Sequence, residues 1–320
     1  MLLFMDGFDQ LLGWASIADG LKRCGYTTTG NPVLGEGRVP TQKALSLPGT
    51  TSLLRTFTSF EQKVVIGFAF KATGKRHDLI KIKDVGTLSW NVDNGKLSIA
   101  GGTGTAIVLL DLWYYIEIVF NKLDSTLQVY VNNGLDITAP SPSSANAVNN
   151  YEVTWQGAAE ADFLIDDIQF IDGSAGKYTD RIGPIQITSR LPNVDVEKEW
   201  STSTGNSHFP LVYNQPPDES KYIQSNTSGA QDTFLSNTVL PNPNGILAVG
   251  LTVYNRKSDV DNRQLGMVIG RKGETQKEVI DTQLSTEYKY SYAVFETNQD
   301  GQAWNDERLA NAPFGVIVRP

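Results

Sequence analysis

The stretch Trp113–Asp136, WYYIEIVFNKLDSTLQVYVNNGLD, decides the fold class. In Tyr114–Phe120 and again in Leu127–Asn132, β-branched and aromatic side chains alternate between two faces, which is typical of β-strands. The polar residues Asn121–Ser125 separate the two arms, and Asn132-Asn133-Gly134 tolerates the positive φ that the next turn needs. The stretch therefore predicts a β-hairpin that belongs to a two-layer sheet.

The same alternation continues on both sides of the hairpin. Segments with strand-like patterning and turn residues between them are Leu2–Met5, Val64–Phe70, Leu79–Ile82, Thr87–Asn91, Leu97–Ala100, Ala106–Leu110, Glu152–Trp155 and Phe163–Ile171. This spacing favours an antiparallel all-β domain over residues 1–173. The segment DFLIDDIQFID (Asp162–Asp172) is predicted to be its closing strand and to pair near the N-terminal strand.

A second unit follows a change in composition. Residues 174–193 are predicted to form a linker that contains a short strand-like connector, Arg181–Arg190. Residues 194–320 carry their own apolar segments and predict a smaller C-terminal β-sandwich. Helical turns are expected in Gly13–Leu21 and Ala303–Ala312.

Bulk properties exclude several classes of protein. The 320-residue chain has a net charge of −8 and no basic run, so a nucleic-acid surface is not expected. No apolar run approaches the roughly 20 residues of a membrane span. The N-terminus lacks the basic region of a signal peptide. Cys24 is the single cysteine, which excludes an intrachain disulfide and is consistent with folding in a reducing cytosol.

A β-sandwich with catalytic activity could be a glycosidase, and glycoside hydrolysis needs two carboxylates that face one bond. The Glu-x-Asp-x-Glu pattern of sandwich glycosidases is absent. The nearest candidates are Asp162, Asp166 and Asp167, of which the first two share a strand parity. Because aspartates are mostly exposed, we interpret these three as solvated edge and turn residues. Glu117 has no acidic partner at i+2 or i+4, so no catalytic residue is predicted and the chain is expected not to be an enzyme.

Metal and cofactor sites are also not predicted. Asp6-Gly-Phe-Asp9 could offer oxygens to calcium, but an Asx-turn explains this spacing better. His77 and His208 fall in different predicted domains, and a histidine metal site needs closely spaced partners. The glycine-rich stretch Gly101–Thr105 lacks the Lys-Ser/Thr of a phosphate loop.

Tryptophans are the remaining candidates for contacts. At least four of the six lie in apolar strand segments and are expected in the core. Trp14 and Trp304 lie in less regular segments and are predicted to be exposed contacts with a glycan or with another protein. Pro216, Pro217 and the Ala303–Ala312 turn are predicted at interfaces as well.

Several of these segments resemble a known family. Phe4–Phe8 (FMDGF), Trp113–Glu117 and Asp162–Asp172 resemble the laminin-G/concanavalin-A-like jelly roll. Segments that are similar to virion proteins of tailed bacteriophages cover most of the rest of the chain: Ile165–Asn193, Trp200, Asn214–Asn226, Gly229–Phe234 and Trp304 followed by Phe314–Val318.

This resemblance implies a structural component of a phage particle, in its tail, collar, baseplate or head decoration. Such a protein is made in the host cytoplasm, resides in the virion, and has copies of itself and other virion proteins as partners. The alternative is a glycan-binding module that recognises the host surface through loops at one end of the first sandwich. A degenerate glycosidase is a third hypothesis, and it requires facing carboxylates in a cleft.

Overall fold

The computed structural model describes residues 1–40, 42–74, 77–91, 93–159, 162–236 and 245–320. The chain forms two compact units, Met1–Thr188 and Ser189–Pro320. Residues 174–188, predicted as part of a linker, are assigned by their contacts to the first unit. The predicted connector strand Arg181–Arg190 is wrong, because this segment forms no strand and bonds instead to side chains of the first unit.

The first unit contains fifteen strands within the described residues, one α-helix and two short 3₁₀ turns. The helix is α1 (Ile17–Arg23) and the turns are Asp9–Leu11 and Ser143–Ala147. The strands are β1 (Leu2–Asp6), β2 (Thr27–Thr29), β3 (Val33–Glu36), β4 (Lys43–Pro48), β5 (Ser52–Thr58), β6 (Lys63–Ala72), β7 (His77–Ile82), β8 (Gly86–Asn91), β9 (Lys96–Ile99), β10 (Gly102–Thr103), β11 (Tyr114–Asn121), β12 (Thr126–Val131), β13 (Gly134–Pro140), β14 (Asn150–Gln156) and β15 (Asp162–Asp172).

These strands form two antiparallel sheets. The first has the order β13-β12-β11-β6-β15-β4-β3, with β1 paired to β15, and the second has the order β10-β9-β8-β7-β14-β5-β2. The predicted pairing of the closing strand with the N-terminal strand is confirmed, since Met5 lies opposite Gln169.

The hairpin predicted from Trp113–Asp136 is confirmed as β11 and β12. Ile118 lies opposite Val129, and Phe120 lies opposite Leu127. Because side chains alternate along a strand, Ile118 and Phe120 face the other sheet whereas Glu117 points to the outer face.

Aromatic residues from both sheets fill the space between them. Phe57 of the second sheet stacks on Phe170 of the first, with ring centroids 4.3 Å apart. Trp155 packs edge-on against Phe68 at 6.2 Å. The first unit is therefore a concanavalin-A-like jelly-roll sandwich, as predicted.

The predicted strand Ala106–Leu110 is wrong. This segment is an irregular loop, because its backbone bonds to side chains and turn carbonyls rather than to a neighbouring strand. The strands β2, β3, β4, β5, β10 and β13 lie outside the segments predicted from the alternation pattern.

The second unit is a smaller β-sandwich, as predicted. Its elements are β16 (Val194–Lys198), β17 (Ser201–Thr202), α2 (Phe209–Val212), β18 (Ile223–Gln224), β19 (Gln231–Leu235), β20 (Val249–Asn255), β21 (Gln264–Ile269), β22 (Lys277–Asp281), β23 (Lys289–Phe295), α3 (Asp306–Asn311) and β24 (Phe314–Arg319). A five-stranded sheet, β16-β19-β24-β21-β22, packs against the two-stranded antiparallel sheet β20-β23. Their shared core includes Met267, Phe295 and Trp304. Among the described helices, none is long and apolar enough to cross a membrane.

Candidate functional site

A concavity in the first unit lies between the β8–β9 turn and the irregular loop formed by residues 104–112. Its volume is about 310 Å³, which is within the range of small-ligand sites. We call it the loop cleft. Its lining residues are Trp90, Asp93, Asn94, Gly95, Ile107, Val108, Leu109 and Leu110.

The β8–β9 turn provides the polar wall of the loop cleft. The Asn91 side chain accepts a hydrogen bond from the Asp93 amide at 3.0 Å, and Asn94 Oδ1 accepts one from the Lys96 amide at 3.0 Å. These Asx-type bonds fix the turn and leave both Asp93 and Asn94 exposed. Within the described part of the chain, no hydrogen bond is made by the Asp93 carboxylate or by Asn94 Nδ2. Both groups are therefore available to a ligand.

Gly95 joins the two walls. Its φ is +68°, and a Cβ at this position would lie 2.7 Å from Ile107 Cγ2 and 2.9 Å from the Val108 carbonyl oxygen. The Gly95 carbonyl accepts a hydrogen bond from the Val108 amide at 2.7 Å. Glycine is therefore required both by the backbone conformation and by the close approach of the loop.

Several hydrogen bonds fix the loop in place. Asp136 Oδ1 accepts from the amides of Thr105 and Ala106, both at 2.7 Å. Further along, the Leu109 amide donates to the Tyr114 hydroxyl at 3.0 Å, and the Asp111 amide donates to the Ala72 carbonyl at 3.0 Å. The buried indole of Trp90 closes the floor and donates to the Val108 carbonyl at 3.3 Å. The loop is thus held at both ends and in its middle.

The anchored loop exposes large apolar side chains. The exposed fractions are 61% for Ile107, 55% for Leu109, 42% for Leu110 and 50% for Leu112. A rigid loop that presents contiguous apolar side chains to solvent is typical of a binding surface. The loop cleft therefore combines a free carboxylate and amide on one wall with aliphatic groups on the other.

The residues singled out from the sequence lie elsewhere. Trp14 is half-buried against Gly20 of α1, and in the second unit Pro216 is exposed and Pro217 half-buried. None of these lines the loop cleft. Sequence reasoning missed Asp93 and Asn94, because turn residues of this kind are common on β-proteins.

The expectation that Trp304 is an exposed contact is wrong. Only 4% of its surface is exposed, and its indole nitrogen donates to the Phe295 carbonyl at 2.8 Å. The irregular segment before α3 folds over the core of the second unit, which buries this ring among Met267, Ile269 and Phe295. Trp304 is a core residue.

The Asx-turn interpretation of Asp6 is confirmed. Asp6 Oδ1 accepts a hydrogen bond from the Phe8 amide at 2.8 Å, and Oδ2 accepts one from the Tyr26 hydroxyl at 2.8 Å. Both oxygens are therefore occupied by protein donors. Among the described residues, no group of three or more His, Cys, Asp or Glu side chains is placed to hold a metal ion.

The interpretation of Asp166 and Asp167 as solvated is wrong, although Asp162 is exposed. Only 2% of Asp166 and none of Asp167 is exposed. Pairing of β15 with β6 is interrupted between Asp166 and Gln169, and Asp167 has a φ of +48°. This bulge turns both carboxylates toward the outer face of the first sheet.

Residues 181–188, which we call the strap, cover these carboxylates. Asp167 forms an ion pair with Arg38 and accepts a hydrogen bond from the Ile187 amide at 2.7 Å. Glu117, which is 1% exposed, pairs with Arg181 at 2.7 Å and accepts from the Gly183 amide at 2.9 Å. The polar cluster therefore secures the strap to the sheet.

Apolar contacts support the strap as well. Ile182, Ile185 and Ile187 pack with Tyr115 and Ala69 of the outer sheet face. The carboxylates beneath are consequently screened from any polysaccharide. They form no open cleft of the kind that glycoside hydrolysis requires.

Several known structures are similar to this chain at a low level. Peanut lectin with a nine-residue peptide is 9% identical, with a TM-score of 0.38 over 53% of this chain and 97% of that chain. A sialidase is 14% identical, with a TM-score of 0.39 over 53% of this chain and only 18% of its own length. A structure concerning the interaction of botulinum neurotoxin type C with two ganglioside molecules is 11% identical, with a TM-score of 0.35 over 92% of this chain and 88% of that chain.

These values are too low to transfer a function, and the neighbours give no indication of a phage origin. No protein-family model matches the sequence, and no curated protein matches it.

Proposed function

We propose that this chain is a non-catalytic carbohydrate-binding protein and that the loop cleft holds a sugar. The observation that carries the proposal is the convergence of the free Asp93 carboxylate and Asn94 amide with the aliphatic wall of Ile107, Leu109 and Leu110. Sugars need both kinds of group, because each ring presents hydroxyls at its edge and C–H groups on its faces.

Each wall has a separate task in this proposal. The Asp93 carboxylate accepts hydrogen bonds from sugar hydroxyls, and bonds to a charged acceptor are stronger than neutral ones. Asn94 Nδ2 donates to a ring or hydroxyl oxygen. The aliphatic wall covers a C–H face and removes it from water. Because the loop is anchored before the ligand arrives, little ordering cost opposes binding.

The absence of catalysis is part of the proposal. Hydrolysis of a glycosidic bond needs a second carboxylate about 5–10 Å from the first. Among the described lining residues, Asp93 is the only acidic one. Binding without turnover is therefore the function that this cleft supports.

An array of immobilised glycans probed with the full chain tests the proposal. We expect Asp93→Ala to weaken binding to the recognised glycan by about 10-fold to 100-fold, since a hydrogen bond to a charged group contributes about 1.5–3 kcal/mol. Asp124→Ala is the matched control, because Asp124 is also an exposed aspartate in a hairpin link and lies outside the cleft. Undiminished binding by Asp93→Ala, or no binding to any glycan by the wild type, would reject the proposal.

A second candidate function is a structural role in a tailed-phage particle, as the sequence resemblance implies. The observation in its favour is Leu112, which is half exposed on the anchored loop and does not line the cleft. Exposed apolar side chains on a rigid loop are also typical of protein interfaces.

Leu112→Asp separates the two functions. If the loop mediates assembly, the wild-type chain self-associates in sedimentation experiments and Leu112→Asp is shifted to the monomer, because the introduced charge would have to be buried. Glycan binding should be the same in both proteins. A wild-type chain that remains monomeric at high concentration would argue against self-assembly through this loop.

A further inference from the structure

We infer that the loop cleft takes an uncharged sugar unit and rejects units that carry a carboxylate or a sulfate. This inference rests on the proposed function and narrows its ligand class. The observation behind it is the charge of the residues that line the two walls of the cleft. Among the described lining residues, Asp93 is the one charged group, and no lysine, arginine or histidine accompanies it.

Two further carboxylates lie near the loop side of the cleft. Asp111 follows Leu110 directly on the loop and is exposed. Asp136 Oδ1 holds the start of the loop through the amides of Thr105 and Ala106. The whole chain carries a net charge of −8, so the long-range potential has the same sign.

The cationic side chains that bind anionic sugars in proteins are not found among the described residues that line the cleft. An anion needs a cationic side chain or a cluster of free backbone amides. Three lining amides are already used, since those of Asp93, Val108 and Leu109 donate to protein acceptors. A sugar carboxylate placed in the cleft would meet the Asp93 carboxylate without a compensating cationic side chain among the described lining residues.

The aliphatic wall explains why an uncharged sugar is accepted where an anionic sugar is rejected. Ile107, Leu109 and Leu110 can cover a ring face that carries only C–H groups, while the exposed hydroxyls on the ring edge donate to Asp93. An uncharged hexose satisfies both walls at once. The selectivity thus arises from repulsion of the wrong ligand as well as attraction of the right one.

Matched pairs of glycans test the inference with the full chain. The probes are galactose-, glucose- and mannose-terminated oligosaccharides, each compared with a derivative that carries a sialic acid or a sulfate on the terminal unit. For the neutral member that binds best, we expect its anionic derivative to bind at least about 5-fold more weakly at low salt, as two like charges some 4 Å apart in water imply. The difference should shrink as salt is added.

Asp93→Asn provides the decisive variant, because it keeps the size and an acceptor oxygen but removes the charge. The ratio between neutral and anionic binding should fall toward one in Asp93→Asn and stay unchanged in Asp124→Asn. Equal or tighter binding of the anionic member by the wild type would overturn the inference while leaving the proposed carbohydrate function intact. Binding of no probe at all would overturn both.

Discussion

Arg181→Ala should lower the free energy of unfolding of the first unit by about 3–5 kcal/mol. The substitution leaves the Glu117 carboxylate, which is 1% exposed, without its cationic partner. It also removes the guanidinium that lies 3.5 Å from the centroid of the Tyr130 ring and the hydrogen bond to Asn133 Oδ1. A buried charge that has lost its partner is costly, whereas an exposed one is hydrated.

Amide hydrogen exchange of β6 and β11 is the suitable measurement, because it reports the opening of the first unit separately from the second. Lys83→Ala breaks the exposed ion pair with Glu152 and is the control, for which no measurable change is expected. Combining Arg181→Ala with Glu117→Gln should recover part of the loss, since the buried charge is then absent. An equal effect of the two alanine substitutions would show that the strap is not secured by this pair.

A second large effect is expected from pH. Burial, together with the neighbouring Asp167 charge, raises the pKa of Asp166 from 3.8 to about 8. Burial also raises the pKa of Asp167 to about 6, against the opposing influence of Arg38. Both pKa values are higher in the folded state than in the unfolded chain, so the folded state binds more protons between pH 4 and pH 8. The contribution of these two carboxyls to the stability of the first unit is therefore expected to fall as pH rises through this range.

For each proton involved, the free energy of unfolding changes by at most about 1.4 kcal/mol per pH unit. Asp166→Asn cannot ionise and keeps an acceptor for the Asp167 amide, so its stability should depend less on pH. Exchange rates of β6 and β11 amides measured from pH 5 to pH 8 should show the variant becoming more stable than the wild type toward pH 8. If the stability of the two proteins changed with pH in the same way, a raised pKa of Asp166 would be contradicted.

The sandwich could be predicted from the sequence because the alternation of side chains between two faces is visible within each strand segment. Alternation in β11 and β12 determines which side chains enter the core, and the tertiary structure simply confirms this local pattern. Ala106–Leu110 has an equally apolar composition, but its path depends on Asp136 and Tyr114, which lie outside the segment. Local pattern could not reveal those partners.

The polar cluster was missed for a related reason. Asp167 and Glu117 are buried with cationic partners that are distant in sequence: Arg38 lies 129 residues from Asp167, and Arg181 of the strap lies 64 residues from Glu117. Trp304 was misplaced because an irregular segment does not show from its sequence alone that it folds over a core. The cleft residues Asp93 and Asn94 carry no signal beyond that of a turn.

The most direct test of the proposed carbohydrate function is a map of amide chemical shifts in the ¹⁵N-labelled full chain during titration with the neutral glycan that binds best. The account predicts that the shift changes concentrate at residues 93–95 and 107–110 and that Asp93→Ala needs about 10-fold to 100-fold more glycan to produce them. Changes confined to other surfaces, or a spectrum that no glycan alters, would contradict it.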